Sequence, residues 1–441
     1  MSNPRKIKRP PTITLIGAGS QIFGFNICTD ICQTPELQGA TVRLVDIDAQ
    51  RLATMENLFQ LIGKSRGMDL NVSSTTDRRK ALPGTDYVIL SVAAERIRRW
   101  DIDLAVARKY GIVEAQGECG GPGGLSLTLR NVPLVLAIAR DIEALAPHAL
   151  LINFTNPMTR ICRALNRCTK LRTVGLCHGL IGVQGHLSHL LGRDVLVNGY
   201  GINHFNWIFA ARWKDTGLDA WPAVRDAFLK DSDPHWAYTR ELCRIFGRIV
   251  TPGDGHITDF THHWRGTPGG LNPRYSIRPK NMDDYRTFQA RWEDRIAGYL
   301  AGKKDPWTDV HGLSGEGAIP IMCAMSGLAP KYEEIAVNIP NRGAIEGLPD
   351  DAVVEVPGCI STNRIAGRKM GALPLGLQSM VARQLEIGDL AVEAAIEGSF
   401  DKALQALAID PIITDLEIAR NYLNDILAAH GDVLPQFKYL I

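Results

Sequence analysis

The chain has 441 residues, 45% hydrophobic and 22% charged, with 49 Lys and Arg against 47 Asp and Glu, a net charge of +2. That length fits two or three domains of about 150 residues each and buries a large core without disulfide or metal staples. The balanced charge excludes the basic surplus of a nucleic-acid-binding protein, and no apolar run approaches the roughly 20 residues of a membrane span.

The basic opening Arg5-Lys6-Ile7-Lys8-Arg9-Pro10-Pro11 reads as a solvated tail, with no apolar segment behind it to make a signal peptide. Thr12–Ile16 is a short strand, Gly17-Ala18-Gly19-Ser20 a glycine turn, Gln21–Gln33 a helix, and Thr41–Val45 a second strand ending on Asp46. This order is a dinucleotide-binding pattern. Gly17, Gly19 and Ser20 would lay a pyrophosphate on the helix start, and Asp46 would hold the adenosine ribose and disfavour a 2′-phosphate. The third glycine of that pattern is missing: position 22 is Ile22, and Gly24 comes two residues late.

Asp86–Val92 is the next strand, and its end, at Ser91 and Ala93, suits backbone contact with adenine or ribose. The charged run Arg96–Asp103 reads as a solvated helix start from which Arg96 or Arg99 could reach an anionic substrate. Gly117–Gly124 is a dense glycine loop around Glu118, either a general acid or a solvated carboxylate on a flexible loop. Then come helix Leu127–Ala146, strand Ala149–Asn153, helix Pro157–Cys168, strand Arg172–Leu176 and helix Leu180–Leu191. In such folds ligands lie beyond the carboxyl ends of the strands, which draws attention to Asn153, Cys177 and His178. Asn153 would point an amide into the cleft.

Cys177 alone is more often a small buried hydrophobe. Paired with His204, 27 residues on, it offers one thiolate and one imidazole to a catalytic cation. His256 and Asp259, followed by His262, His263 and Arg265, suggest an active-site wall, although Pro252-Gly253-Asp254-Gly255 would serve as a plain turn. Cys28 and Cys32 read as buried helix residues, and nine scattered cysteines without a Cys-x-x-Cys pair suit a reducing, cytoplasmic compartment. Beyond residue 196 strands continue to Trp213, with helical stretches at Trp221–Ile249, Asp283–Leu300 and Leu375–His430. The expected architecture is α/β: a Rossmann-type doubly wound sheet over residues 1–195, then an α+β catalytic domain over 196–441, lactate dehydrogenase-like in plan.

Together, Gly17-Ala18-Gly19-Ser20, the Gly117–Gly124 loop, Asn153-Phe154-Thr155-Asn156-Pro157, Cys177-His178-Gly179, Gly201-Ile202-Asn203-His204 and Val354-Glu355-Val356-Pro357 resemble glycoside hydrolase family 4. The resemblance implies NAD and Mn²⁺ as cofactors and a redox route: C3 oxidation, C2 deprotonation, elimination, water addition and re-reduction. It implies Cys177 and His204 as metal ligands, Glu118 as the acid where relatives carry an aspartate, and Asn153 as a sugar contact. It leaves Asp259, then His256, as the C2 base. The Cys-His-Gly variant looks like the subgroup acting on α-linked galacturonides or glucuronides, for which an arginine would hold the carboxylate. Assembly into homodimers or homotetramers is expected from the family. The alternatives are a neutral α-galactosidase or α-glucosidase and a 2-hydroxy-acid dehydrogenase.

Overall fold

A computed structural model describes residues 9–265 and 271–437, so the basic opening up to Lys8 lies outside the described residues. In the first half the strands are β1 (Thr12–Ile16), β2 (Thr41–Val45), β3 (Asn71–Thr75), β4 (Tyr87–Leu90), β5 (Leu150–Asn153) and β6 (Arg172–Gly175). After them come β7 (Val195–Ile202), β8 (Phe205–Trp213), β9 (Ile249–Thr251), β10 (Tyr332–Pro340), β11 (Ile345–Glu346), β12 (Val353–Ser361), β13 (Arg364–Gly367) and β14 (Gly371–Ala372). One sheet runs β3-β2-β1-β4-β5-β6-β10-β12-β7-β8-β9, with β13 on β12, while β11 and β14 pair separately. The first six strands are parallel, in the order of a dinucleotide-binding fold. From β10 onward the pairing is antiparallel.

β1, β4 and β5 are buried along their whole length, as parallel strands covered by helices on both faces must be. Gly17 stands at φ 92, and a Cβ there would lie 1.8 Å from the Ser91 carbonyl oxygen. Only glycine lets β1 turn so closely against the end of β4. Gly24, late for the motif, does the packing work of the third glycine, since a Cβ on it would sit 2.6 Å from Met55 Cε on the neighbouring helix Ala49–Ser65. Cys28 and Cys32 are buried on helix Gln21–Cys32, as their spacing suggests.

Several expectations are corrected. Helix Gly121–Leu145 starts six residues earlier than expected and takes in half of the glycine loop. By length and hydropathy alone it could cross a membrane, but 78% of its apolar window is buried inside the fold, as in the core helix of a globular protein. It packs against helices Met158–Cys168 and Leu375–Glu397. The Trp221–Ile249 stretch is two helices, Trp221–Lys230 and Ala237–Phe246, interrupted at Pro234 and followed by β9. The expected boundary at 195/196 is not among these corrections; it lies at the start of β7, and the sheet continues across it. One core cluster joins Val88, Leu129 and Ile161 to Ala391, Leu407 and Leu423 of the C-terminal helices.

The charged run Arg96–Asp103 begins helix Arg96–Lys109 and is solvated only in part: Arg96 and Arg98 are exposed, but Arg99 and Asp103 are each 1% exposed. Asp103 accepts from Arg130 (3.0 and 2.6 Å), Ser126 (2.6 Å) and His430 Nε2 (2.8 Å). This knot ties the end of helix Leu416–Ala429 to the Rossmann half. Breaking a buried ion pair by removing one partner leaves an uncompensated charge. Arg130→Met should therefore lower unfolding stability by about 3 kcal/mol in urea denaturation; a loss below about 1 kcal/mol would show that His430 and Ser126 suffice for Asp103.

Candidate active site

Gly17, Gly19, Ser20, Asp46, Ser91 and Ala93 converge at the carboxyl ends of β1, β2 and β4. The Asp46 carboxylate accepts from the Gly19 N–H at 2.7 Å and the Asp48 N–H at 3.0 Å, which draws the glycine turn and the end of β2 together. Ser20 opens the helix without a side-chain cap and no acid sits in the first turn, so the helix start stays available to an anion. Ile47, next to Asp46, is 91% exposed, an apolar surface where a flat adenine ring would rest.

Cys177 follows β6 and His204 sits in the two-residue turn between β7 and β8. Their Sγ and Nε2 atoms lie 3.4 Å apart. Among the described residues no group of three or more His, Cys, Asp or Glu gathers as a cation site; the pair by itself would supply two ligands. His204 adopts φ 61, a left-handed conformation that glycine would take at no cost. Burial pushes the Cys177 thiol up to about 11, with Glu355 adding to the effect. Burial pulls the His204 imidazole down, yet Cys119, Glu118 and Glu355 outweigh it and bring it up to about 9.

The glycine loop is not loosely held. Asp259 accepts from the N–H groups of Gly117 (2.8 Å), Glu118 (3.0 Å) and Cys119 (3.0 Å). Glu114 accepts from Gly123 at 2.7 Å. Its glycines do have a packing use: a Cβ on Gly120 would lie 2.3 Å from the Asp259 carbonyl oxygen, and one on Gly123 2.6 Å from that of Gly117. The loop sets Glu118 in place, 5% exposed, with Arg96 donating to its carboxylate at 2.7 Å. Burial pushes the Glu118 carboxyl up, but Arg96, His204 and His256 outweigh it and hold it below the usual carboxylate range.

Three expected roles do not fit this geometry. Asp259 is filled by three backbone donors and 4% exposed, so it is a brace for the loop rather than a base facing the cleft. Asn153 is fully buried, its amide bonded within the turn to the Thr155 carbonyl (3.0 Å) and N–H (3.1 Å), so it does not open to the cleft. Arg99 is committed to Asp432, at 2.8 Å, and Glu95, at 3.0 Å. By contrast, His256 joins the site: its ring lies 4.3 Å from that of His204, with Nδ1 unpartnered. Burial first, then the charge of His204, pull it down to about 3. His178 is exposed, its Nδ1 3.6 Å from Glu316, which raises it.

Residues the sequence reading did not single out complete the site. Lys280 donates to Gln116 Oε1 at 3.1 Å and lies 4.8 Å from the Trp100 ring, with the Arg96 guanidinium 5.2 Å from the same ring. Nothing local in Arg278-Pro279-Lys280 signals this. Glu355, 3% exposed, interrupts the apolar run of β12, and a charge inside a buried strand was a legible sign. Glu114 sits likewise among Ile112, Val113 and Ala115.

Residues 12–193 match the model of the family 4 glycosyl hydrolases, and residues 199–413 that of the family 4 glycosyl hydrolase C-terminal domain. An alpha-glucosidase of Erwinia rhapontici is 34% identical over 430 residues, spanning 91% of this chain and 93% of its own. An alpha-galacturonidase of Thermoanaerobacterium saccharolyticum is 30% identical over 465 residues, spanning 97% of each chain. The crystal structure of a 6-phospho-alpha-glucosidase from gut microorganisms, in complex with NAD and Mn²⁺, shares the fold with a TM-score of 0.82 at 21% identity, covering 97% of this chain and 100% of that one.

The brace role of Asp259 has a measurable consequence. Asp259→Ala would leave three buried N–H groups without an acceptor, at about 1–3 kcal/mol each, so urea denaturation should show a loss of about 3 kcal/mol or more. A cleft-facing base would be removed without that loss. Glu114 is pushed up to about 8, chiefly by burial. Between its ordinary range and pH 8 the folded chain keeps a proton that the unfolded chain has released, so stability falls as pH rises through that window. Glu114→Gln lacks this dependence, and its stability relative to the parent protein should increase between pH 5 and pH 8 in urea titrations.

Proposed function

Because the chain belongs to the family 4 glycosyl hydrolases, we propose that it is a cytoplasmic NAD- and Mn²⁺-dependent α-glycosidase, assembled as a homodimer or homotetramer, acting on α-linked galacturonides or glucuronides. One observation carries the reading: Cys177 and His204 meet at 3.4 Å from separate strand ends beside Glu118 and His256. A thiolate and an imidazole suit Mn²⁺ or a neighbouring divalent ion, and the Gly17–Ser20 turn with Asp46 and exposed Ile47 suits NAD. When bound, NAD⁺ supplies a hydride acceptor for the sugar C3, and the cation a Lewis acid for the C2 and C3 oxygens. Family membership sets aside a 2-hydroxy-acid dehydrogenase.

The chain's own groups divide the remaining work. His256, kept neutral by burial and by the neighbouring His204 charge, has the unpartnered ring nitrogen that takes the C2 proton. It replaces Asp259 in that role. Glu118 delivers a proton to the leaving glycosidic oxygen. Paired with Arg96 it favours the ionised form, so it needs that cation drawn away. A uronide carboxylate provides the means: bound by Arg96 and Lys280, both close to the Trp100 ring, it relieves Glu118 of its partner and lets burial raise the acid. Two cations beside the acid favour a uronide over a neutral sugar. The Erwinia alpha-glucosidase favours a second reading, a neutral α-glucoside or α-galactoside.

Nitrophenyl α-galacturonide, α-glucuronide, α-galactoside and α-glucoside, assayed with and without NAD⁺ and Mn²⁺, separate the two. Hydrolysis of a uronide that needs both cofactors is expected, and faster turnover of the neutral glycosides would reject the substrate class. Lys280→Ala should raise KM for the uronide about tenfold, the worth of one charge-assisted hydrogen bond. Cys177→Ala should abolish metal-dependent turnover.

A further inference from the structure

Four strands place four residues in one row across the sheet. Gly175 on β6 is registered with Asn338 on β10, Asn338 with Glu355 on β12, and Glu355 with Gly201 on β7. Cys177 lies two residues beyond one end of the row, and His204 three residues beyond the other. In the middle stands Glu355, buried at 3% exposure. It accepts from Asn203 Nδ2 at 2.8 Å, Asn338 Nδ2 at 3.0 Å and Asn206 Nδ2 at 3.1 Å. The Oδ1 atoms of all three asparagines are buried and without partners. The carboxylate thus orients three amides by their N–H ends, and each amide leaves its own oxygen unsatisfied to do so.

No Lys or Arg among the described residues forms a salt bridge with Glu355. The hydrogen-bond donors to Glu355 are all neutral, and a buried carboxylate is costly unless an opposite charge lies close by; here that charge is the His204 ring when protonated, or a cation held in its place beside Cys177. From this geometry we infer that Glu355 is a positioning residue for the cation held by Cys177 and His204, supplying the buried countercharge behind the pair and holding the His204 turn through Asn203. The inference rests on the metal reading of Cys177 and His204 and adds a residue that reaches the cation only through others. Two independent features meet in it. Asn203 is the other residue of the two-residue turn in which His204 takes its left-handed conformation. Asn338 is tied to the β6 end by a second contact, to the Gly175 carbonyl at 3.4 Å. One carboxylate thereby links the strand end that precedes the thiol to the turn that carries the imidazole.

Glu355→Gln separates charge from packing. It keeps the shape: the Asn203 and Asn338 amides can turn their free oxygens toward the two N–H groups of the new amide while Asn206 goes on donating to its oxygen, so the metal-free fold should be as stable as the parent in urea. Mn²⁺ affinity, read by calorimetry on NAD⁺-loaded protein, should fall 10–100-fold, the range for partners behind metal ligands. Glu355→Asp, which keeps the charge, should bind Mn²⁺ more tightly than Glu355→Gln. With Co²⁺ in place of Mn²⁺, the thiolate-to-Co²⁺ charge-transfer band reports whether Cys177 still ligates. Unchanged Mn²⁺ affinity in Glu355→Gln, equal losses in the two variants, or a metal-free Glu355→Gln that fails to fold would each overturn the assignment. If the parent protein binds no Mn²⁺, the metal reading falls with it; if the parent binds and Glu355→Gln binds equally, only the role of Glu355 falls.

Discussion

The site depends on where β10 and β12 are inserted. Strands β6 and β7 follow one another in the chain with only helix Gly179–Leu191 between them, yet they are not neighbours in the sheet. Two antiparallel strands from the last third of the sequence stand between them. That spacing sets the distance between the two strand ends and hence the meeting of Cys177 with His204. It also brings Asn338 and Glu355 beneath the pair.

A second constraint operates around the glycine loop. Backbone N–H groups concentrated in a tight turn must find acceptors, and those at residues 117, 118, 119 and 123 find them in two buried carboxylates. Asp259 and Glu114 are pushed up by burial, while Glu118 on the same loop is held down by Arg96. Acids close in space thus take opposite electrostatic characters from their neighbours, the arrangement by which one site separates proton-handling roles. The positive counterparts, Arg96 and Lys280, both stand close to the Trp100 ring.

Much of this was legible in the sequence where the determinant was local. The strand, glycine turn, helix and Asp46 are consecutive, and the apolar runs of the parallel strands are continuous because both faces are covered. The polar residues at strand ends were found because topology puts ligands there. What escaped was decided at a distance. Strand β3 is polar and at the sheet edge, so it lacks a buried pattern. Asp259 looked like a cleft base until its carboxylate was seen filled by a loop about 140 residues earlier. Arg99 looked solvated because nothing near it in sequence announces Asp432. The packing use of the loop glycines is not legible in the sequence, because their contacts come from Asp259 and Glu114.

The insertion of β10 and β12 also orders the making of the protein in time. Synthesis runs from the N-terminus, and the six parallel strands can pair as soon as residue 175 has emerged, since each finds its partners among residues already made. The thiol and the imidazole are in the chain by residue 204, but the strands that set their separation end at residue 361. A nascent chain therefore carries the glycine turn of the first strand long before it carries an assembled thiol–imidazole pair, and a truncated one would hold the former without the latter.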